Sequence, residues 1–148
     1  MIKKFAIIMM AAFAVAACGN GASTANDEQA TEEVSEDKVI TLKKEIMKSH
    51  DRTMAEMNTM SKLRKELKDA KSETQDTAVY YNAYTDLKQA HNDMMEWMRS
   101  FENPDEMDAT DDEKIAYLKE QKEKVYQLEE YTFNSINRAE KVLAKRKK

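Results

Sequence analysis

Apolar residues recur at helical spacing along three stretches of this chain, and polar or breaker-containing stretches separate them. The first stretch runs from about Lys38 to Lys71, the second from about Ala78 to Phe101, and the third from Thr110 onward. Apolar positions that lie three or four residues apart form one face of an α-helix. The pattern therefore predicts three helices and an all-α protein.

Each predicted helix carries one apolar face. The face of the first helix consists of Ile40, Ile46, Met47, His50, Met54, Met57, Met60 and Leu67. The face of the second helix consists of Tyr80, Tyr84, Leu87, His91, Met94, Met95, Met98 and Phe101. The face of the third helix consists of Ile115, Leu118, Val125, Leu128, Thr132, Ile136, Ala139 and Leu143. We expect the three faces to pack together in one core.

The stretches between the helices carry turn and cap signals. Residues 72–77 supply cap-forming side chains, and Asn103-Pro104-Asp105 interrupts the helical pattern. Thr110 and Glu113 have the spacing of a capping box at the start of the third helix. Because short connections favour antiparallel neighbours, the sequence predicts an up-down-up, coiled-coil-like three-helix bundle over residues 38–148.

The third helix is predicted to project beyond the turn between the first two. The projecting end, Asn137–Lys148, carries six basic residues and a single acid, Glu140. Cations at a helix C-terminus complement the helix dipole. The same charges would also suit contact with an acidic protein partner, so both interpretations stand.

The N-terminus has the organisation of a secretion signal. Lys3 and Lys4 precede 13 consecutive apolar residues, Phe5–Ala17. A membrane-spanning helix needs about 20 such residues, so this segment is too short to span a bilayer. Val15-Ala16-Ala17-Cys18 resembles the bacterial lipobox, at which signal peptidase II cuts before a lipidated cysteine. The resemblance implies removal of residues 1–17 and anchoring of the acylated Cys18 in the bilayer of the cell envelope.

Residues 18–37 are predicted to form a disordered tether, because residues 19–37 contain six carboxylates, no basic residue and too few apolar side chains to form a core. The tether could serve as a spacer, or its acids could act as a surface-export signal. Gly19 stands where an Asp would retain a lipoprotein in the inner membrane, so the sorting rule that it resembles implies the outer membrane.

Charge and cysteine content exclude two classes of protein. Without Lys3 and Lys4, the chain has 22 basic and 28 acidic residues and a net charge of −6. That balance argues against nucleic-acid binding, which needs a clustered positive surface. Cys18 is the only cysteine, so the chain has no internal disulfide.

Histidine and methionine are concentrated in two short windows. The candidate metal ligands are Met47, His50, Met54, Met57, His91, Met94, Met95 and Met98, and Met60 lies beside them. If the first turn is centred near residue 74, residue i faces residue 148 − i, and the two windows meet on one seam. Methionine commonly fills gaps in a core. Thioethers and imidazoles also suit Cu(I), so a copper site is the alternative. A haem with one His and one Met ligand would need more room than three helices offer.

Arrangements typical of enzymes are missing from the sequence. Ser49-His50-Asp51 resembles a catalytic triad only on paper, because consecutive helical residues point about 100° apart. Residues three before the two histidines are Met47 and Lys88 rather than the Glu of a diiron site. Both glycines lie beside Cys18, so no phosphate-binding loop exists. We expect a protein without catalytic activity.

The segments EIMKSHDRTMAEMNTM and LKQAHNDMMEWMRSF, which follow the Cys18 motif, carry a family resemblance. They are similar to a group of small helical bacterial lipoproteins of unknown function, some of which are labelled "viral A-type inclusion protein". The resemblance covers most of residues 38–143 and implies no known activity. The predicted function is therefore a non-catalytic envelope lipoprotein that acts by binding or structural contact, with Cu(I) binding as the alternative.

Overall fold

The computed structural model describes the backbone of residues 25–71 and 77–146, and side chains within residues 35–70 and 77–145. Four α-helices follow one another: α1 (Ala25–Ala55), α2 (Met57–Lys71), α3 (Thr77–Ser100) and α4 (Asp111–Arg146). A short 3₁₀ turn, Pro104–Glu106, lies between α3 and α4. The described residues contain no strand, and the helices pack as a bundle, so the prediction of an all-α helical bundle is confirmed.

Buried positions repeat every seven residues, as the a and d positions of a coiled coil do. In α1 and α2 the repeat comprises Val39, Leu42, Ile46, Ser49, Thr53, Met60, Leu63, Leu67 and Ala70. In α3 it comprises Tyr80, Ala83, Leu87, Ala90, Met94 and Trp97. In α4 it comprises Leu118, Gln121, Val125, Thr132, Ser135, Ala139 and Val142. Each helix thus buries one narrow stripe.

The predicted apolar faces match this stripe in part. The predicted face of α4 is buried or half-buried throughout. In the first two segments the prediction followed the largest apolar residues and missed small ones that fill the core, such as Ser49, Ala83 and Ala90. Ile40, which was predicted to lie on the apolar face, is 56% exposed, because it lies one position beyond the buried Val39.

The first predicted helix is interrupted once, at Glu56. The Glu56 amide bonds to the carbonyl of Thr53 at 3.1 Å, three residues back rather than four. Thr53 also donates its hydroxyl proton to the carbonyl of Ser49 at 3.1 Å, a contact that tends to bend helices. The seven-residue repeat continues across the interruption, from Thr53 to Met60, so α1 and α2 act as one rod.

Helix α1 begins at Ala25, before the predicted start at Lys38. Residues 25–37, assigned to the disordered tether, are helical, and the hydroxyl of Ser35 donates to Asp111 Oδ2 at 2.9 Å. The segment contains no Pro or Gly to stop a helix that has already formed downstream. The remaining tether residues, 18–24, and the signal segment, 1–17, lie outside the described residues.

Contacts between α1 and α4 keep a constant spacing in sequence. Ser49 donates to the carbonyl of Val125 at 3.4 Å, and Glu45 pairs with Lys122 at 2.6 Å. This spacing brings the end of α4 level with the end of α2. Ala139 and Val142 are buried, and Leu143 lines a groove beside α2. The predicted projection of Asn137–Lys148 is therefore wrong as far as residue 146, because α4 runs beside the first rod as far as the end of α2.

Two predicted helix signals are confirmed. The Thr110 amide and hydroxyl both donate to Glu113 Oε2, at 2.8 and 2.9 Å, and Glu113 N returns a bond to the Thr110 hydroxyl at 3.4 Å. These bonds lower the pKa of Glu113. Asn103 Oδ1 accepts from the Asp105 amide at 3.4 Å and caps the 3₁₀ turn that Pro104 begins.

The core repeat predicts that truncating two isoleucines of α1 to alanine will have very different effects on the free energy of unfolding. Ile46→Ala removes a fully buried side chain, and we expect it to lower the free energy of unfolding by about 2–5 kcal/mol. Ile40→Ala is the control, because Ile40 is mostly exposed, and its effect should stay within about 0.5 kcal/mol. Urea denaturation measures both. Equal effects would contradict the repeat.

Candidate functional site

The residues that flank the core differ strongly among the three seams of the bundle. Between α1 and α4 they are ion pairs, Glu45 with Lys122 and Arg52 with Glu129. Between α3 and α4, Asp86 pairs with Arg138. Between the first rod and α3 the flanking positions hold Met47, His50, Met54, Met57, His91, Met95 and Met98, which we call the His/Met seam. This stretch of seam carries imidazoles and thioethers in place of charges.

Residues of the His/Met seam are neither core nor fully solvated. All are half-buried except Met98, which is 37% exposed. Met47, Met54 and Met57 pack against the core from its edge. Two other methionines of the windows, Met60 and Met94, occupy core positions and are completely buried. The structure thus separates Met94 from the other predicted ligands and places it in the interior.

Two contacts across this seam fit the predicted register. The ammonium of Lys43 pairs with the carboxylate of Asp105, and the ring centroid of His50 lies 5.9 Å from that of Trp97. If residue i faces residue 148 − i, Lys43 faces residue 105 and His50 faces residue 98, so the two observed pairs lie at or next to the predicted positions. The same register brings His50 level with Met98 and Met57 level with His91.

Each histidine has a neighbour at Nδ1. The Nδ1 atom of His50 lies 3.0 Å from Asp51 Oδ1, and the His50 side chain is 20% exposed. The Nδ1 atom of His91 lies 3.5 Å from Asn92 Oδ1. A carboxylate can only accept a hydrogen bond, so Asp51 engages Nδ1 of His50, and Nε2 is the ring nitrogen that remains for a further partner.

A row of aromatic rings leads from the His/Met seam to α4. Trp97 lies 5.1 Å from Phe101, and Phe101 lies 6.0 Å from Tyr117, measured between ring centroids. The Trp97 indole donates to Gln121 Oε1 at 3.0 Å inside the core. Trp97 is the only tryptophan of the chain, so its fluorescence reports on this region. Neither Trp97 nor Gln121 was among the predicted site residues, because their role depends on contacts between helices.

Ser49, Arg52 and Glu129 form a separate polar cluster between α1 and α4. Arg52 binds both carboxylate oxygens of Glu129, at 2.6 and 2.7 Å, and the Ser49 hydroxyl donates to the same carboxylate. The hydrogen bonds from Arg52 lower the pKa of Glu129, and those to Glu129 raise the pKa of Arg52. Ser49 therefore bonds to α4, whereas His50 packs on α3 and contacts Asp51, so Ser49 does not join the His50–Asp51 pair.

Thr132 adds a polar side chain to the core opposite the interruption at Glu56. It is fully buried, and its hydroxyl has no hydrogen-bond partner within the described part of the chain. The spacing that joins Ser49 to Val125 brings Thr132 level with Glu56. The middle of the bundle thus combines an irregular helix with an unsatisfied hydroxyl.

Among residues 25–71 and 77–146, no three His, Cys, Asp or Glu side chains form a group that could hold a metal ion. None of the helices in those ranges combines the length and apolar character needed to cross a bilayer. Cys18, the predicted lipidation site, lies outside the described residues.

Comparison with known proteins adds no assignment. No protein-family model, curated protein or solved structure matches this chain.

The Glu129 cluster predicts a pH-dependent contribution to stability. Because its pKa is lowered in the folded protein, the charged form of Glu129 stabilises the fold at neutral pH, and this contribution is lost as pH falls through the folded-state pKa. We expect Glu129→Gln to lower the free energy of unfolding by about 1 kcal/mol at pH 7. The difference from the unmodified protein should shrink in acid.

The neighbouring, exposed Glu130 provides the control. Glu130→Gln should leave the free energy of unfolding within about 0.5 kcal/mol at either pH. Urea denaturation of both variants at neutral and acidic pH makes the comparison. A loss for Glu129→Gln that is the same at both pH values would contradict the assignment.

Proposed function

We propose that this protein is a lipid-anchored, non-catalytic protein of the bacterial cell envelope that acts through binding or structural contact. The observation that carries the proposal is Val15-Ala16-Ala17-Cys18 at the end of a short apolar segment with a basic start. In this proposal residues 1–17 are removed and Cys18 becomes the acylated first residue. Gly19 supports delivery to the outer membrane.

An acylated Cys18 would hold the protein at the bilayer with high affinity. One myristoyl chain alone gives weak, reversible membrane binding, at about 0.8 kcal/mol per buried methylene. Three chains on one residue would make release negligible. The helical start at Ala25 leaves residues 19–24 as the connection between lipid and helix in this proposal.

We further propose an up-down-up arrangement of three rods, with α1 and α2 as the first. Contacts such as Glu45 with Lys122 and Arg52 with Glu129 keep one sequence spacing, which supports a common direction for α1 and α4. The register between the first rod and α3 supports the opposite direction for α3. Neighbouring rods would then follow one another through short connections.

The proposal of a non-catalytic role rests on how the reactive side chains are used. The Ser49 hydroxyl donates to Glu129 and the carbonyl of Val125, both on α4. His50 packs on Trp97 instead. A nucleophile and its base must lie within hydrogen-bond reach of each other. The side chains of Ser49 and His50 instead contact different helices, α4 and α3.

The basic end of α4 is the surface that we propose for an acidic protein partner. Lys141 and Lys145 are exposed there, whereas Arg138 is paired with Asp86. Charge reversal at Lys141 and Lys145 tests the idea better than truncation, which would remove the buried Val142. We expect proteins cross-linked to this end in the native envelope to be lost on reversal, and an unchanged set would contradict the surface.

Lipidation itself is tested by Cys18→Ala, with Ser23→Ala as the control beyond the motif. We expect the unmodified protein and the Ser23→Ala variant to incorporate labelled palmitate and to sediment with outer membranes. The Cys18→Ala variant should incorporate no palmitate, and an inhibitor of signal peptidase II should make the unmodified precursor accumulate. Equal labelling of both variants, or an unlipidated soluble product from the unmodified gene, would overturn the proposal.

A further inference from the structure

We propose that the His/Met seam is a Cu(I)-binding site, formed by side chains of the first rod and of α3. The inference does not depend on the anchor at Cys18, because every proposed ligand lies within the bundle. It identifies the class of ligand that the protein would bind, a soft monovalent metal ion, in addition to the proposed location in the cell envelope.

The position of these side chains at the edge of the core is the first argument. Met47, His50, Met54 and Met57 follow one another at intervals of three, four and three residues, so they share one side of the rod. That side adjoins the buried stripe, and Met47, Met54 and Met57 pack against the core from its edge. Their half-buried side chains are therefore placed between the core and α3.

The second argument is that α3 presents the same chemistry at the matching height. His91, Met95 and Met98 share one side of α3 at intervals of four and three residues. The register brings Met98 level with His50 and His91 level with Met57, between the fixed contacts of Lys43 with Asp105 and His50 with Trp97. This register thus places two imidazoles and several thioethers along one stretch of the seam.

The third argument is the choice of ligand atoms. Thioether and imidazole ligands favour Cu(I), whereas carboxylate and carbonyl oxygens favour harder ions such as Mg²⁺. The other two seams use ion pairs at equivalent positions. Half-buried, uncharged side chains are easily withdrawn from water to surround a monovalent ion.

The fourth argument concerns the orientation of His50. Histidines that bind metals usually donate their second ring N–H to a carboxylate or carbonyl, which fixes the tautomer. Asp51 Oδ1 lies 3.0 Å from Nδ1 of His50 and fills this role, so Nε2 is the atom available to the metal. Met54, one turn further along the rod, and Met95 and Met98 of α3 would complete the ligand set. Met94 is excluded because it is fully buried in the core.

A competition titration under anaerobic conditions tests the site. The full chain is purified in detergent with Cys18→Ala, so that no thiol competes, and Cu(I) is distributed between the protein and a coloured Cu(I) chelator. We expect one bound Cu(I) per chain, quenching of the single tryptophan near His50, and a copper-edge absorption spectrum that reports sulfur and nitrogen ligands.

Variants of the proposed ligands distinguish Cu(I) binding at this site from nonspecific Cu(I) binding to methionine side chains elsewhere in the protein. His50→Ala with Met98→Leu, and Met54→Leu with Met95→Leu, should each weaken binding at least about tenfold, and Asp51→Asn about tenfold through His50. Met107→Leu, in the connection before α4, is the control and should bind as the parent does. Circular dichroism confirms that each variant folds.

Methyl resonances of the methionines provide an independent readout. With Cu(I), or with Ag(I) as its analogue, the methyl groups of Met54, Met95 and Met98 should shift, while those of Met60 and Met107 should not. No binding by the parent protein, unchanged affinity in both double variants, or equal shifts of all methionines would each overturn the proposal.

Discussion

Burial of a single seven-residue stripe on each rod is the constraint on which the rest of this structure depends. A helix can bury only one side against two neighbours, and the a and d positions of the repeat define that side. The repeat continues from Val39 to Ala70 although the helix is interrupted at Glu56. Packing of the stripe, rather than unbroken backbone hydrogen bonding, therefore keeps α1 and α2 in line.

Because the core stripe alone forms the interior, the residue types at the flanking positions can differ from one seam to the next. Two seams use these positions for ion pairs, which link α4 to both of the other rods. Exposed ion pairs contribute little stability, typically below about 1 kcal/mol, but they disfavour a wrong alignment. The third seam has the ion pair of Lys43 with Asp105 at one end, and imidazole and thioether groups from Met47 to Met57 and from His91 to Met98. This difference in chemistry is the basis of the proposed Cu(I) site.

Sequence pattern was sufficient for the all-α bundle and the capping box, because each depends on residues that lie close together in the chain. It missed the early start of α1 and the interruption at Glu56. The core was predicted less well. The predicted face included large residues such as Ile40 that are in fact exposed. Ser49, Ala83 and Ala90 occupy the interior instead, because three closely packed helices leave little space between them. Among the candidate ligands, Met94 could not be assigned to the core before the stripe was known.

We expect the bundle to open most easily at the interrupted middle of the first rod. A buried hydroxyl without a partner costs about 1–3 kcal/mol, and that of Thr132 lies level with the irregular turn at Glu56. Ion pairs brace the rods on either side, Lys43 with Asp105 and Asp86 with Arg138. Backbone amides at the centre of a helix usually exchange with solvent more slowly than those at its ends. Here the centre carries the irregular turn, so we expect local opening to concentrate beside Met57 while both halves of the rod stay closed.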